Sequence, residues 1–93
     1  MPRHVLILGG GGFMGRWLAA HLSARGDVVS APPRAEADVA DAPSLHRAVE
    51  AARPDVVINL AGISNVTHGD VEALYETNML GHLRLLSAVA ASA

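Results

Sequence analysis

The chain of 93 residues has no cysteine, and its seven basic residues are all arginine, so it has no lysine either. Without cysteine the chain is no disulfide scaffold, and its composition fits a reducing compartment such as the cytoplasm. No apolar run approaches the roughly 18 residues of a membrane span. The opening MPRHVLILGG has an apolar run of only four residues, followed by glycines where a signal peptide would carry a cleavage site. Charge of one sign is also scarce. Nine acids are interleaved with Arg3, Arg16, Arg25, Arg34, Arg47, Arg53 and Arg84, for a formal charge of -2, which lacks the basic stripe of a nucleic-acid footprint. With 51% apolar residues and five scattered prolines, the chain reads as one small globular domain with a thin core.

The hydrophobic pattern alternates between two periods. Val5–Leu8 is a wholly apolar run ending in glycine, as in a strand buried on both faces of a parallel sheet. From Phe13 to Arg25, the residues Phe13, Trp17, Leu18, Ala20 and Leu22 fall mostly at helical spacing, and Gly26 supplies the stop. Val28–Ala31 is a second strand, closed by Pro32-Pro33. Residues 34–41 form a polar connection. Ser44–Ala52 predicts a short helix with Leu45, Ala48, Val49 and Ala52 on one side, Asp41 as N-cap and Pro43 in the first turn. Val56–Ala61 is a third buried strand, and residues 62–69 make a loop of small residues. A last helix is predicted from Asp70 to Ala91, with a buried stripe of Leu74, Met79, Leu83, Leu86 and Val89. Strands alternating with helices indicate an α/β fold with a parallel sheet and right-handed crossovers. Three strands make half of a doubly wound sheet, so a fragment of a longer protein is expected.

Gly9, Gly12 and Gly15 stand at three-residue intervals between the first strand and the first helix. A tight turn, the close approach of a diphosphate and the close packing of helix on sheet each require a residue without a Cβ. The helix start supplies unpaired N–H groups and its positive end. No Lys-Ser/Thr follows, which excludes a Walker A loop. At the end of the second strand, around Ser30–Pro32, no acid waits for an adenosine ribose, whereas Arg34 lies just beyond and Arg16 on the first helix. Either guanidinium suits a 2′-phosphate, which favours NADP over NAD; the alternative is that both are ordinary solvated residues.

GGGGFMG at 9–15, the pair Asp38-Val39 with Asp41 behind it, RPDVVINLAG at 53–62 and YETNMLGHLRLLSA at 75–88 together resemble one family. It is the extended short-chain dehydrogenase/reductases, the NAD-dependent epimerase/dehydratase group that acts mainly on nucleotide sugars. The resemblance covers practically the whole chain and corresponds to the family's N-terminal part. It implies a Rossmann-type sheet, N-terminal half only, with Gly9, Gly12 and Gly15 at the cofactor diphosphate and Phe13 and Met14 following the turn. It implies Asp38 and Val39 at the adenine, on a short strand that periodicity does not reveal, and Leu60, Ala61 and Gly62 beside the riboses. Asn78 takes a structural or proton-relay role by the same resemblance. The residues agree in kind: Asp38 can accept from an exocyclic amine, and Val39 offers an apolar surface to a purine. Ser64, Asn65 and Thr67 follow the third strand at the carboxyl end where open parallel sheets bind ligands, and are candidates for the substrate or nicotinamide side. His68 reads as an exposed loop histidine. No metal site is expected.

The family's chemistry uses a Tyr-x-x-x-Lys pair, since a tyrosine with an ordinary pKa near 10 supplies little base at neutral pH. The sole tyrosine, Tyr75, is followed by Glu76-Thr77-Asn78-Met79, and no lysine exists to serve it. The catalytic pair and the nucleotide-sugar region are therefore expected beyond residue 93, and the chain alone is expected to be inactive. A different class of function also fits, a non-catalytic dinucleotide-sensing or interaction module. The expected partners are NAD or NADP, a nucleotide sugar in a longer parent and a second copy of that parent, since family members often dimerise through helices that include region 70–91. Nucleic acid and membrane are not expected partners.

Overall fold

The computed structural model describes residues 2–9, 11–61 and 80–92. A parallel three-stranded sheet lies at the centre, in the order β2-β1-β3, with β1 at His4–Leu8, β2 at Val28–Ser30 and β3 at Val56–Asn59. Val5 pairs with Val29 on one side and with Val56 on the other, and Leu8 pairs with Asn59. The helices are α1 at Phe13–Ala24, α2 at Ala42–Ala52 and α3 at Gly81–Ser92.

β1 has no polar alternation after His4 because both of its faces are covered. Val5 and Ile7 pack with Leu22 of α1, joined by Leu18, Ala19, Val29, Val56 and Ile58. Leu6 and Leu8 point to the opposite layer, where Leu45 and Val49 of α2 meet Leu85 and Ala88 of α3. Leu45 is completely enclosed. Leu45→Ala is expected to cost about 3 kcal/mol of stability, read as a shift in the urea midpoint at unchanged slope. At the amino edge of the sheet, Arg3 is paired with Asp27 at 3.0 Å, and the His4 N–H donates to the Asp55 carboxylate at 2.8 Å. These contacts tie the starts of all three strands together.

Several boundaries differ from the sequence reading. β2 ends at Ser30, before Ala31, and α2 begins at Ala42, two residues before Ser44. Asp41 occupies the N-cap without a side-chain hydrogen bond; the Ser44 hydroxyl bonds back to the Asp41 carbonyl at 2.8 Å instead. β3 ends at Asn59, although the Leu60 N–H still donates to the Leu8 carbonyl at 2.8 Å. Residues 34–41 are turns, so the short strand implied at Asp38-Val39 does not form. The buried Ser44 holds this segment by accepting from the Asp38 N–H at 2.9 Å, while its one proton goes to the nearer Asp41 carbonyl.

Two helix faces are also corrected. α1 meets the sheet through Leu22, Leu18 and Ala19, which leaves Phe13 and Trp17 on the outer side; Trp17 stacks on His21 with ring centroids 5.2 Å apart. α3 buries Leu85 and Ala88 and turns Leu83 and Leu86 outward. An apolar sequence such as Leu83-Arg84-Leu85-Leu86 offers two stripes at helical spacing, and contact with α2 selects between them. Leu74 and Met79, with the first part of the predicted last helix, lie outside the described residues.

Candidate functional site

The chain leaves β2, crosses the sheet behind β1 and returns as β3 on the other side, so the carboxyl ends of β1 and β3 flank a topological switch point. Leu8-Gly9 and Asn59-Leu60-Ala61 meet there. Gly9 has φ +77°, the left-handed region, and a Cβ placed on it would lie 2.6 Å from the Ala61 nitrogen and 2.7 Å from the Leu60 carbonyl carbon. Gly9 is thus required by the chain itself: its Cα rests on the Leu60–Ala61 peptide.

Gly12 is different. It is the N-cap of α1, with φ -80° and ψ 175°, and a Cβ there would meet only the Gly9 carbonyl oxygen, at 3.9 Å. Among the described residues nothing lies within 4 Å of a Cβ built on Gly11. The first N–H groups of α1 have no acceptor within the helix. Among the described residues no side chain caps them, and no acid stands in the first turn to complement the positive end of the helix. An anion with oxygen acceptors fits this cradle. Phe13 and Met14, at the same helix start, are exposed, at 83% and 62%. Gly15, further along the helix, is buried.

Arg34 and Asp38 stand on the connection after β2, also at the carboxyl edge of the sheet. Arg34 Nε donates to Asp38 Oδ2 at 3.3 Å, and Asp38 Oδ1 accepts from the Ala40 N–H at 2.9 Å. The Arg34 side chain remains 84% exposed. Val39 is buried among Leu6, Leu45 and Leu85, and its carbonyl accepts from the Arg84 guanidinium at 3.2 Å. Its side chain is part of the core, and no apolar face of it is presented outward. Leu60 borders the switch point and is partly exposed, while Ala61 packs against the core beneath. The structure therefore brings Gly9, Gly12, Phe13, Met14, Leu60 and Ala61 to one edge, with Arg34 and Asp38 further along it. Gly62, Ser64, Asn65, Thr67, His68, Tyr75 and Asn78 lie outside the described residues.

Sequence reasoning missed one group of residues. Asn59, which the apolar pattern places simply within a strand, accepts the Ala61 N–H on Oδ1 at 3.0 Å, and its Nδ2 lies 3.1 Å from His82 Nδ1 on α3. The residues are 23 apart in sequence, and no local spacing signals the pair. Among the described residues no group of three or more His, Cys, Asp or Glu could hold a metal ion, and no helix is long and apolar enough to cross a membrane.

A parallel sheet whose strand order reverses beside its first strand, with a glycine turn leading into a helix at that point, defines a Rossmann-type α/β fold. The chain belongs to the NAD dependent epimerase/dehydratase family, whose pattern it matches over residues 5–93. It is 34% identical over 93 residues to a dTDP-4-dehydrorhamnose reductase of Mycolicibacterium smegmatis, an alignment that covers 98% of this chain and 28% of that protein. Among solved structures, the UDP-glucose 4-epimerase of Thermus thermophilus in complex with NAD superposes with a TM-score of 0.84 at 30% identity, covering 95% of this chain and 34% of that one. The dTDP-4-dehydrorhamnose reductase of Bacillus anthracis in complex with NADP shares the fold, with a TM-score of 0.87 at 21% identity over 95% of this chain and 32% of that one. The chain spans about a third of the length of these proteins.

Proposed function

We propose that the chain is the nicotinamide-dinucleotide-binding part of a nucleotide-sugar reductase, epimerase or dehydratase. The observation that carries this reading is the position of Gly12: a bare backbone at a helix start without a side-chain cap, at the sheet's switch point, where among the described residues a Cβ would meet only the Gly9 carbonyl oxygen. Gly12, Phe13 and Met14 would hold the diphosphate through main-chain N–H groups, with Gly9 and Gly15 giving the turn its shape. Leu60 and Ala61, with Gly62, would border the riboses. The bound dinucleotide supplies hydride chemistry; this chain's residues bind and orient it. Kinship with proteins crystallised with NAD or with NADP and named for dTDP- or UDP-sugars supports the class.

Within that reading NADP is preferred, because Ser30–Pro32 at the end of β2 carry no acid to take a ribose hydroxyl and the exposed Arg34 lies just beyond. Asp38 would face the adenine amine, with Ser64, Asn65 and Thr67 on the substrate side and Asn78 in a structural or relay role. Titration of the chain with each cofactor, followed through quenching of Trp17, is expected to saturate at lower concentration for NADP. Arg34→Ala is expected to raise the Kd for NADP about tenfold, the worth of a charge-assisted hydrogen bond, and to leave NAD unchanged. Equal affinities in the parent sequence would remove the preference, and no saturation with either cofactor would remove the whole reading.

Among the described residues β3 pairs only with β1, and its outer edge borders a groove of about 400 Å³ lined in part by Val57, Leu85, Leu86 and Val89. Further strands and helices of the parent, carrying the catalytic Tyr-x-x-x-Lys pair and the sugar-binding region, would complete this edge; the 93 residues alone are proposed not to transfer hydride. Leu83, half-exposed on α3 and outside that groove, supports association of two parent copies through that helix. The absence of cysteine supports a cytoplasmic setting.

A further inference from the structure

We propose that His82 is a positioning residue of the dinucleotide site, acting through Asn59 on the Leu60–Ala61 peptide; the inference rests on the reading of that site given above. The contact begins on α3, which is anchored in the core by Leu85 and Ala88 and tied to the Val39 carbonyl by Arg84. From its first turn, His82 Nδ1 accepts from Asn59 Nδ2 at 3.1 Å. The opposite atom of the same amide, Asn59 Oδ1, accepts the Ala61 N–H at 3.0 Å. On the far side of that peptide sits Gly9, so close that a Cβ would fall 2.6 Å from the Ala61 nitrogen. Gly9 in turn opens the loop into α1, with its carbonyl accepting from the Gly12 N–H at 3.5 Å.

A carboxamide has two chemically different ends, and its two neighbours here ask for the same orientation: the Ala61 N–H calls for the oxygen, and an acceptor at His82 calls for the NH2. Without that acceptor only the Ala61 bond holds the amide, and the anchor to α3 is lost. The ring must therefore carry its proton on Nε2 and leave Nδ1 bare. The consequence is a fixed height for the Leu60–Ala61 peptide, against which the Gly9 turn and the phosphate loop are seated. A site built on packed elements holds its geometry only when such supporting contacts fix it.

The full chain, labelled with 15N, tests this in three measurements. Long-range proton–nitrogen spectra are expected to show neutral His82 as the Nε2–H tautomer. His82→Phe, which keeps the ring volume and removes the acceptor, is expected to reduce hydrogen-exchange protection of the Ala61 amide about fivefold and to raise the Kd for NADP by a similar factor. His82→Gln offers an acceptor oxygen and is expected to restore most of both. An Nδ1–H tautomer, unchanged Ala61 protection in His82→Phe, or equal damage by Phe and Gln would each overturn the assignment. If the chain binds neither cofactor the site reading fails, and the tautomer and the Ala61 amide still decide whether His82 positions that peptide.

Discussion

Gly9→Ala is expected to destabilise the fold by about 3 kcal/mol, a large part of the about 5–15 kcal/mol that holds a small domain together. Two costs combine. A left-handed backbone conformation costs about 1–2 kcal/mol in any residue with a Cβ, and forced overlap in a packed region adds about 1–3 kcal/mol. The overlap here is with backbone, at 2.6 Å from the Ala61 nitrogen and 2.7 Å from the Leu60 carbonyl carbon, and backbone cannot rotate away as a side-chain tip can. To accept the new methyl group the end of β3 must move off β1, breaking the bond from the Leu60 N–H to the Leu8 carbonyl. Urea unfolding measures the loss directly. A midpoint within about 0.5 kcal/mol of the parent, the usual size of a harmless surface change, would show that the turn is not seated on β3.

Gly12→Asp is expected to do the reverse. The position has ordinary extended dihedrals, and among the described residues a Cβ meets only the Gly9 carbonyl oxygen at 3.9 Å, so an aspartate is accommodated without strain. It is also a favoured N-cap residue, its carboxylate accepting from the uncapped N–H groups and standing at the positive end of α1; a gain of a few tenths to about 1 kcal/mol in stability follows. That carboxylate takes the acceptor positions and the volume proposed for the diphosphate and meets it with like charge. Affinity for both cofactors is expected to fall at least about a hundredfold, since a like charge in a binding site costs several kcal/mol. Unfolding and Trp17 titration of the same sample separate the two effects. Retention of cofactor affinity in a folded Gly12→Asp variant would show that the ligand sits elsewhere.

These two substitutions lie three residues apart in one glycine run and are expected to affect different properties. The spacing of Gly9, Gly12 and Gly15 names three needs without saying which glycine meets which. The dihedral angles and the neighbouring atoms separate them: Gly9 is pressed on the chain's own backbone, Gly12 meets nothing nearer than the Gly9 carbonyl oxygen among the described residues, and Gly15 is buried.

Much of the architecture was legible in the sequence because it depends on local period and on strong punctuation. The apolar run Val5–Leu8, the stop at Gly26, the Pro32-Pro33 pair and the Leu45, Ala48, Val49, Ala52 stripe each act over a few residues, and the elements they mark formed within about two residues of their expected ends. The parallel sheet follows from the same alternation, since a strand apolar on both faces must be covered on both. The family itself was also legible, because its motifs are short and contiguous.

What the sequence did not determine was which of two competing surfaces a helix buries and which distant groups meet. Phe13 and Trp17 on α1, and Leu83 and Leu86 on α3, satisfy helical spacing as well as the buried residues do, yet they face outward. Periodicity gives the existence of an apolar stripe, but the choice between adjacent stripes is made by the fit of whole helices against the sheet and against each other. The Asn59–His82 contact and the Arg84–Val39 contact, 23 and 45 residues apart, arise only once the chain has folded back on itself and brought their groups together. Local sequence determined the elements and the bare turn between β1 and α1, because steric and hydrogen-bonding preferences act within a few residues. Tertiary structure alone decided how that turn is seated and what stands around it, because a contact between residues tens of positions apart is set by packing of the whole and leaves no mark on either neighbourhood.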